Sequence, residues 1–83
     1  MLQFTLYARS YCHLCDDMLV ALHALTLPVP YAVEVIDVDQ DPALIAKYDE
    51  LVPVLTVRDA AGAERTLCHY FLDPDPIEAL VNA

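Results

Sequence analysis

The sequence predicts an α/β fold, a four-stranded mixed sheet flanked by three helices in the order β-α-β-α-β-β-α, with residues 1–83 forming one domain. Three observations carry this. Leu2, Phe4 and Leu6 alternate with polar or amphipathic residues at the start; Leu14, Met18, Leu22 and Leu25 then recur at helical spacing. Late in the chain two β-rich runs are joined by the only glycine, Gly62, as a hairpin requires.

Each element has its own signal. The first strand runs from Leu2 to about Ala8, and Arg9-Ser10-Tyr11 forms a short loop. Helix one begins at Cys12 and is stopped by Pro28 and Pro30, because a proline inside a helix removes a hydrogen bond and clashes with the preceding turn. Tyr31-Ala32-Val33-Glu34-Val35-Ile36 is a second strand, rich in β-branched residues. The acidic run from Glu34 to Asp41 reads as a solvated edge with one cap, Asp41 as N-cap and Pro42 opening a short helix through Tyr48. Val54–Arg58 and Glu64–His69 are the hairpin strands, turned at Asp59-Ala60-Ala61-Gly62. Asp73-Pro74 repeats the cap signal, and Ile77, Leu80 and Val81 give the last helix its apolar face. A helix between the first two strands requires a parallel pair with a right-handed crossover, and the hairpin adds antiparallel strands.

Composition bounds the function. With 83 residues and 58% apolar side chains, the chain can bury a core without help from metals or disulfide frameworks and is too apolar for disorder. Four basic residues against thirteen acidic ones, a formal charge of −9, leave no positive stripe for nucleic acid or an anionic membrane surface. The apolar runs are all shorter than the ~18 residues of a membrane span. Met1–Tyr7 has no basic segment leading into a long apolar run, so the expectation is a cytoplasmic protein.

Three cysteines is an odd number, which fits redox or metal chemistry in a reducing compartment better than a secreted framework. Cys12 and Cys15 have Cys-x-x-Cys spacing at a strand-to-helix junction, so both fall on the first helical turn, within bonding reach. Unpaired N–H groups and the helix dipole favour an anion there and raise the thiolate fraction of the first cysteine. Cys12 is then the nucleophile, and Cys15, deeper in the turn, attacks the resulting mixed disulfide. Two alternatives stand beside this: a zinc site completed by Cys68 and His69, and a pair of merely buried small hydrophobes, against which the polar Arg9-Ser10-Tyr11 loop argues.

Tyr7-Ala8-Arg9-Ser10-Tyr11-Cys12-His13-Leu14-Cys15, followed by Asp37-Val38-Asp39, Tyr48 and Val52-Pro53-Val54-Leu55, resembles the glutaredoxin branch of the thioredoxin superfamily over essentially the whole chain, most closely a small bacterial glutaredoxin-like group. The resemblance implies a thioredoxin-like fold and thiol-disulfide oxidoreductase activity. It makes Pro53 the cis-proline of the fold, with the Val52 backbone turned outward to pair with an extended substrate. It matches Arg9 to a residue that meets a glutathione carboxylate, beside the alternative of a solvated surface arginine. Arg9, Tyr11, His13, Val52 and Pro53 are thus the expected substrate contacts, with Cys12 and Cys15 catalytic and no metal ligands. No bound cofactor is expected; glutathione is a candidate co-substrate. The expected partners are protein or low-molecular-weight disulfides, with glutathione or a thioredoxin-reductase-type protein as donor.

The sequence also departs from that pattern. Where glutaredoxins carry Gly-Gly after the fourth strand, this chain reads Cys68-His69-Tyr70-Phe71-Leu72-Asp73-Pro74-Asp75, with two carboxylates where an anion would bind. This counts against glutathione specificity. His13-Leu14 stands where Pro-Tyr is usual, and Asp16 opposes any stabilisation of the Cys12 thiolate by a charged His13. The expected potential therefore lies toward the thioredoxin end, about −270 mV. Cys68 is read as a core residue, with a second resolving thiol as the alternative. Two other functions compete: a non-catalytic thioredoxin-fold binding module, and a metal or iron-sulfur carrier using Cys12.

Overall fold

A computed structural model describes residues 2–48 and 50–82. The elements are β1 (Leu2–Ala8), α1 (His13–Ala24), β2 (Tyr31–Asp37), a 3-10 turn (Val38–Gln40), α2 (Pro42–Tyr48), β3 (Val54–Arg58), β4 (Glu64–His69) and α3 (Pro74–Asn82). The strands lie in the order β2-β1-β3-β4. β1 runs parallel to β2 and antiparallel to β3, and β3 pairs antiparallel with β4. Helix α1 supplies the connection that a parallel pair needs.

The central position of β1 explains its composition. With strands on both sides and helices over both faces, it buries Phe4, Leu6, Tyr7 and Ala8, whereas edge strand β2 leaves Ala32, Glu34 and Val35 exposed. On one face Phe4, Leu6, Leu55 and Val57 pack against Met18 and Leu22 of α1 and Ile77 of α3. On the other, Tyr7 and Val54 pack against Val38 and against Tyr48 of α2, with the Tyr7 and Tyr48 rings stacked at 4.5 Å. A bulge in β4 sets Leu55 opposite Cys68 and Thr56 opposite Thr66, so that Leu67 is the extra residue. Cys68 and Leu67 both join the α1/α3 core as a result.

Side-chain oxygens close the connections. Asp59 accepts from the N–H groups of Ala61 and Ala63, each at 2.9 Å, and Gly62 takes the positive φ of 84° expected of it. Asp41 accepts from Ala43 N–H at 2.9 Å, as a cap before Pro42 should. The acidic residues before it are mostly exposed along the sheet edge, and a second cap stands among them. Asp37 accepts from Asp39 N–H at 2.9 Å and caps the 3-10 turn, and β2 continues to Asp37 rather than ending at Ile36. Among the described residues no helix is long and apolar enough to cross a membrane.

The register collects four connections at one edge. Ala8 is level with Asp37, and Tyr7 with Val54, which in turn faces His69. The segments after β1, after β2, before β3 and after β4 therefore all meet there.

Candidate functional site

The β1–α1 junction places the two cysteines differently from each other. Helix α1 starts at His13, one residue later than the apolar period suggests, and Cys12 is its N-cap with extended backbone (φ −110°, ψ 105°). The Cys12 Sγ accepts a hydrogen bond from Cys15 N–H at 3.1 Å, so a sulfur takes the place usually held by a serine or aspartate oxygen. The two cysteines form a disulfide, their Cα atoms 5.2 Å apart. Cys15 is only 4% exposed and packs on the core side, whereas Cys12 is half-buried. One sulfur faces outward and one inward. Tyr11, immediately before Cys12, has a left-handed backbone (φ 58°) and a wholly exposed side chain. His13 is exposed on the first turn of α1.

The loop after β1 is tied to the segment after β2. Arg9 forms an ion pair with Asp39, Nη2 to Oδ1 at 2.9 Å, and Ser10 Oγ donates to Asp37 Oδ2 at 3.3 Å. Between them a cleft of about 220 Å³ reaches Cys15, lined also by Leu6, Asp16 and Val35.

The segments before β3 and after β4 reach the same edge. The Val52–Pro53 peptide bond is cis, and the Pro53 carbonyl accepts from Tyr70 N–H at 2.9 Å. Tyr70 has a left-handed backbone (φ 64°), and its hydroxyl donates to the Glu50 carbonyl at 2.6 Å. Two bonds thus hold the residue after β4 to the segment before β3. Phe71 follows, 70% exposed.

Cys68 is not part of this assembly. It lies in the core with Phe4, Leu6 and Leu55, and burial pushes its thiol pKa up, so it stays protonated at neutral pH. Among the described residues no group of three or more His, Cys, Asp or Glu side chains is placed to hold a metal ion. A cavity of about 690 Å³ opens at the far edge between the β3–β4 turn and α3, lined by residues such as Leu2, Val57, Arg58 and Leu80.

Residues 3–82 match the family described as Glutaredoxin-like domain (DUF836). The chain belongs to that family. It is similar to protein Ne2328 from Nitrosomonas europaea, solved by NMR, at 36% identity and a TM-score of 0.80, covering 96% of this chain and 91% of that one. A crystal structure of target protein XcR50 from X. campestris has 34% identity and a TM-score of 0.61, over 95% of each chain. Oxidised mitochondrial thioredoxin 3 from Saccharomyces cerevisiae, at 17% identity and a TM-score of 0.68 over 98% of this chain and 76% of that one, shares the fold. No curated protein matches the sequence significantly. The domain is a thioredoxin-like α/β fold carrying an adjacent cysteine pair.

Within this glutaredoxin-like domain the register sets all seven expected site residues, Arg9, Tyr11, Cys12, His13, Cys15, Val52 and Pro53, on segments that meet at one edge of the sheet. Sequence reasoning missed the partners that hold them. Asp39 on Arg9 and Tyr70 on Pro53 are contacts between segments distant in sequence. A signal for the first existed in the Asp37-x-Asp39 spacing, which suits an Asx turn; nothing local marks Tyr70 for positive φ.

Proposed function

We propose that this domain is a thiol-disulfide oxidoreductase in which Cys12 is the nucleophile and Cys15 the resolving thiol. The observation that carries the proposal is the Cys12 sulfur at the N-cap of α1, accepting the Cys15 N–H. When the disulfide is reduced, a thiolate at that position keeps the same donor and faces the positive end of the helix, and both effects favour the charged form. The Cys12 thiolate attacks one sulfur of a substrate disulfide and the other leaves as a thiol after taking a proton. Cys15, shielded from competing thiols by its burial, then loses its proton and attacks Cys12, which releases the second substrate thiol and leaves the protein oxidised. Two electrons pass to the substrate.

Tyr11 and the Val52–Pro53 segment flank the attacking sulfur, with the Val52 backbone pairing with an extended substrate. A left-handed backbone costs a non-glycine residue about 1–2 kcal/mol, and at Tyr11 no burial offsets that, which supports a role in presenting the ring to substrate. His13 sits beside Cys12 on the first turn. Arg9 acts through its ion pair with Asp39, fixing the loop that carries Cys12. The exchange needs no bound cofactor; a glutathione or thioredoxin-reductase-type donor in the cytoplasm restores the dithiol, and coupled assays fed by each distinguish them.

Reduction of insulin disulfides and of a glutathione mixed disulfide tests the proposal. Cys12→Ser is expected to abolish both reactions, and Cys15→Ser to accumulate a mixed disulfide on Cys12. Unchanged behaviour of Cys12→Ser would instead identify a binding module.

A further inference from the structure

Charge is distributed unevenly over the molecule. Arg58 and Arg65 lie at the β3–β4 turn end, where Arg58 is bonded to the Gly62 carbonyl, and the Lys47 ammonium lies over the Tyr48 ring at 5.1 Å. At the edge that carries the cysteines, the one arginine or lysine side chain among the described residues is Arg9, which is paired with Asp39, and the histidines His13 and His69 stand there as well. Exposed carboxylates remain on every segment there: Asp16 and Asp17 directly after Cys15, Asp41 at the start of α2, Glu50 before the cis peptide, Asp73 and Asp75 at the start of α3. Exposed apolar side chains stand between them: Phe71 and the Tyr70 ring after β4, Leu51, 41% exposed, in the segment to which the Tyr70 hydroxyl is bonded, and Tyr11 in the loop after β1.

We infer that the disulfide this site accepts belongs to a polypeptide whose cysteine is flanked by basic and apolar residues, and that net-anionic small disulfides such as glutathione disulfide are poor substrates. The inference rests on the oxidoreductase proposal and names its substrate class. A field of one sign around a reacting centre raises the encounter rate of the opposite charge and lowers that of its own. Exposed aromatic and leucine side chains add contact area that a tripeptide lacks and an extended polypeptide supplies. The acidic ring alone would accept any cation; the exposed apolar side chains at this edge restrict the class to a chain with side chains on both sides of its sulfur.

The chemistry remains dithiol exchange: protein pre-reduced with dithiothreitol transfers two electrons, the substrate S–S bond breaks, the Cys12–Cys15 bond forms, and two substrate thiols leave. Single-turnover reduction is followed by chromatography of released thiol for glutathione disulfide and for three disulfide-linked decapeptide dimers. One carries Lys and Leu around its cysteine, the second Glu and Leu, the third Lys and Ser. At low salt the Lys/Leu dimer is expected to react at least about tenfold faster than the Glu/Leu dimer and glutathione disulfide, and faster than the Lys/Ser dimer. Near-physiological salt and the Asp17→Asn/Asp75→Asn variant should each narrow the Lys-to-Glu ratio, and Phe71→Ser should erase the Leu-to-Ser preference. Equal rates for the two charge types, or a ratio insensitive to salt, overturns the inference while leaving the oxidoreductase proposal intact. No reduction of any disulfide overturns both.

Discussion

At the residue scale, the two sulfurs differ because a helix N-terminus has a definite geometry. Three residues separate an N-cap from the N–H it can bind, and Cys-x-x-Cys places the second cysteine at that third position, where it turns inward. Asp16 follows directly, exposed, with its own N–H donating to the Cys12 carbonyl at 3.2 Å. An aspartate in the first turn suits the helix dipole but opposes a second negative charge at the cap. Asp16→Asn is therefore expected to lower the pKa of the Cys12 thiol and speed alkylation by iodoacetamide at pH 7 by about two- to threefold, as a repulsion of roughly 0.5 kcal/mol between exposed charges allows. The potential should move in the oxidising direction; an unchanged alkylation rate would remove Asp16 from the account. The cysteine pair was legible because its spacing is itself the geometry. The Arg9–Asp39 pair was not, because it depends on β1 and β2 ending level, a relation between strands that no local window contains.

At the element scale, alternation, helical period and proline punctuation located every strand and every α-helix, since each of these signals is local. The 3-10 turn escaped because three aspartates in five residues also describe a solvated connection. The β4 bulge escaped because Leu67 and Cys68 are both apolar, which leaves no polar residue to mark the break in alternation. The second sheet face depends on a polar device as well as packing. Tyr7 Oη donates to Glu64 Oε2 at 2.5 Å and Thr56 Oγ1 donates to the same oxygen at 2.7 Å, which ties β1, β3 and β4 together beside α2. Burial raises the Tyr7 hydroxyl pKa, and the bond to Glu64 raises it further. For Glu64, burial pushes its pKa up, but the two hydroxyl donors together with the charges of Lys47 and Arg58 outweigh it, so the carboxyl titrates below its ordinary value. A lowered carboxyl pKa contributes stability that is complete above the unfolded value and is lost as pH falls through the folded one; a raised phenol pKa contributes stability that disappears as pH rises above the ordinary tyrosine value. Tyr7→Phe should therefore destabilise by about 1 kcal/mol at neutral pH, a low figure for a bond to a charged group because Glu64 faces solvent. The difference should shrink below pH 4, and urea titrations across pH would reject the coupling if it stayed constant.

At the scale of the whole molecule, a charge of −9 sits on a body of 35 × 27 × 17 Å, and no carboxylate is far from the others. The Debye length is about 30 Å at 0.01 M salt and about 8 Å at 0.15 M, so in dilute buffer repulsion acts across the whole domain, whereas near physiological salt it acts only between neighbours. Arg58 and Arg65 cannot relieve it at the cysteine edge, because they stand at the opposite end of the strands. The unfolded chain spreads the same charge over a larger volume, so repulsion favours unfolding and its screening favours the fold. Raising KCl from about 0.01 M to about 0.15 M at pH 7 is expected to stabilise the domain by about 1 kcal/mol, which in a domain of this size raises Tm by roughly 4–8 °C. Calorimetry of the oxidised protein isolates the effect, since the disulfide is then intact in both folded and unfolded states. A Tm that fell with salt would mean that attractive pairs such as Arg9–Asp39 outweigh the repulsion. In that case the acidic edge would present a weaker field to substrates, and the charge selectivity would weaken at its source.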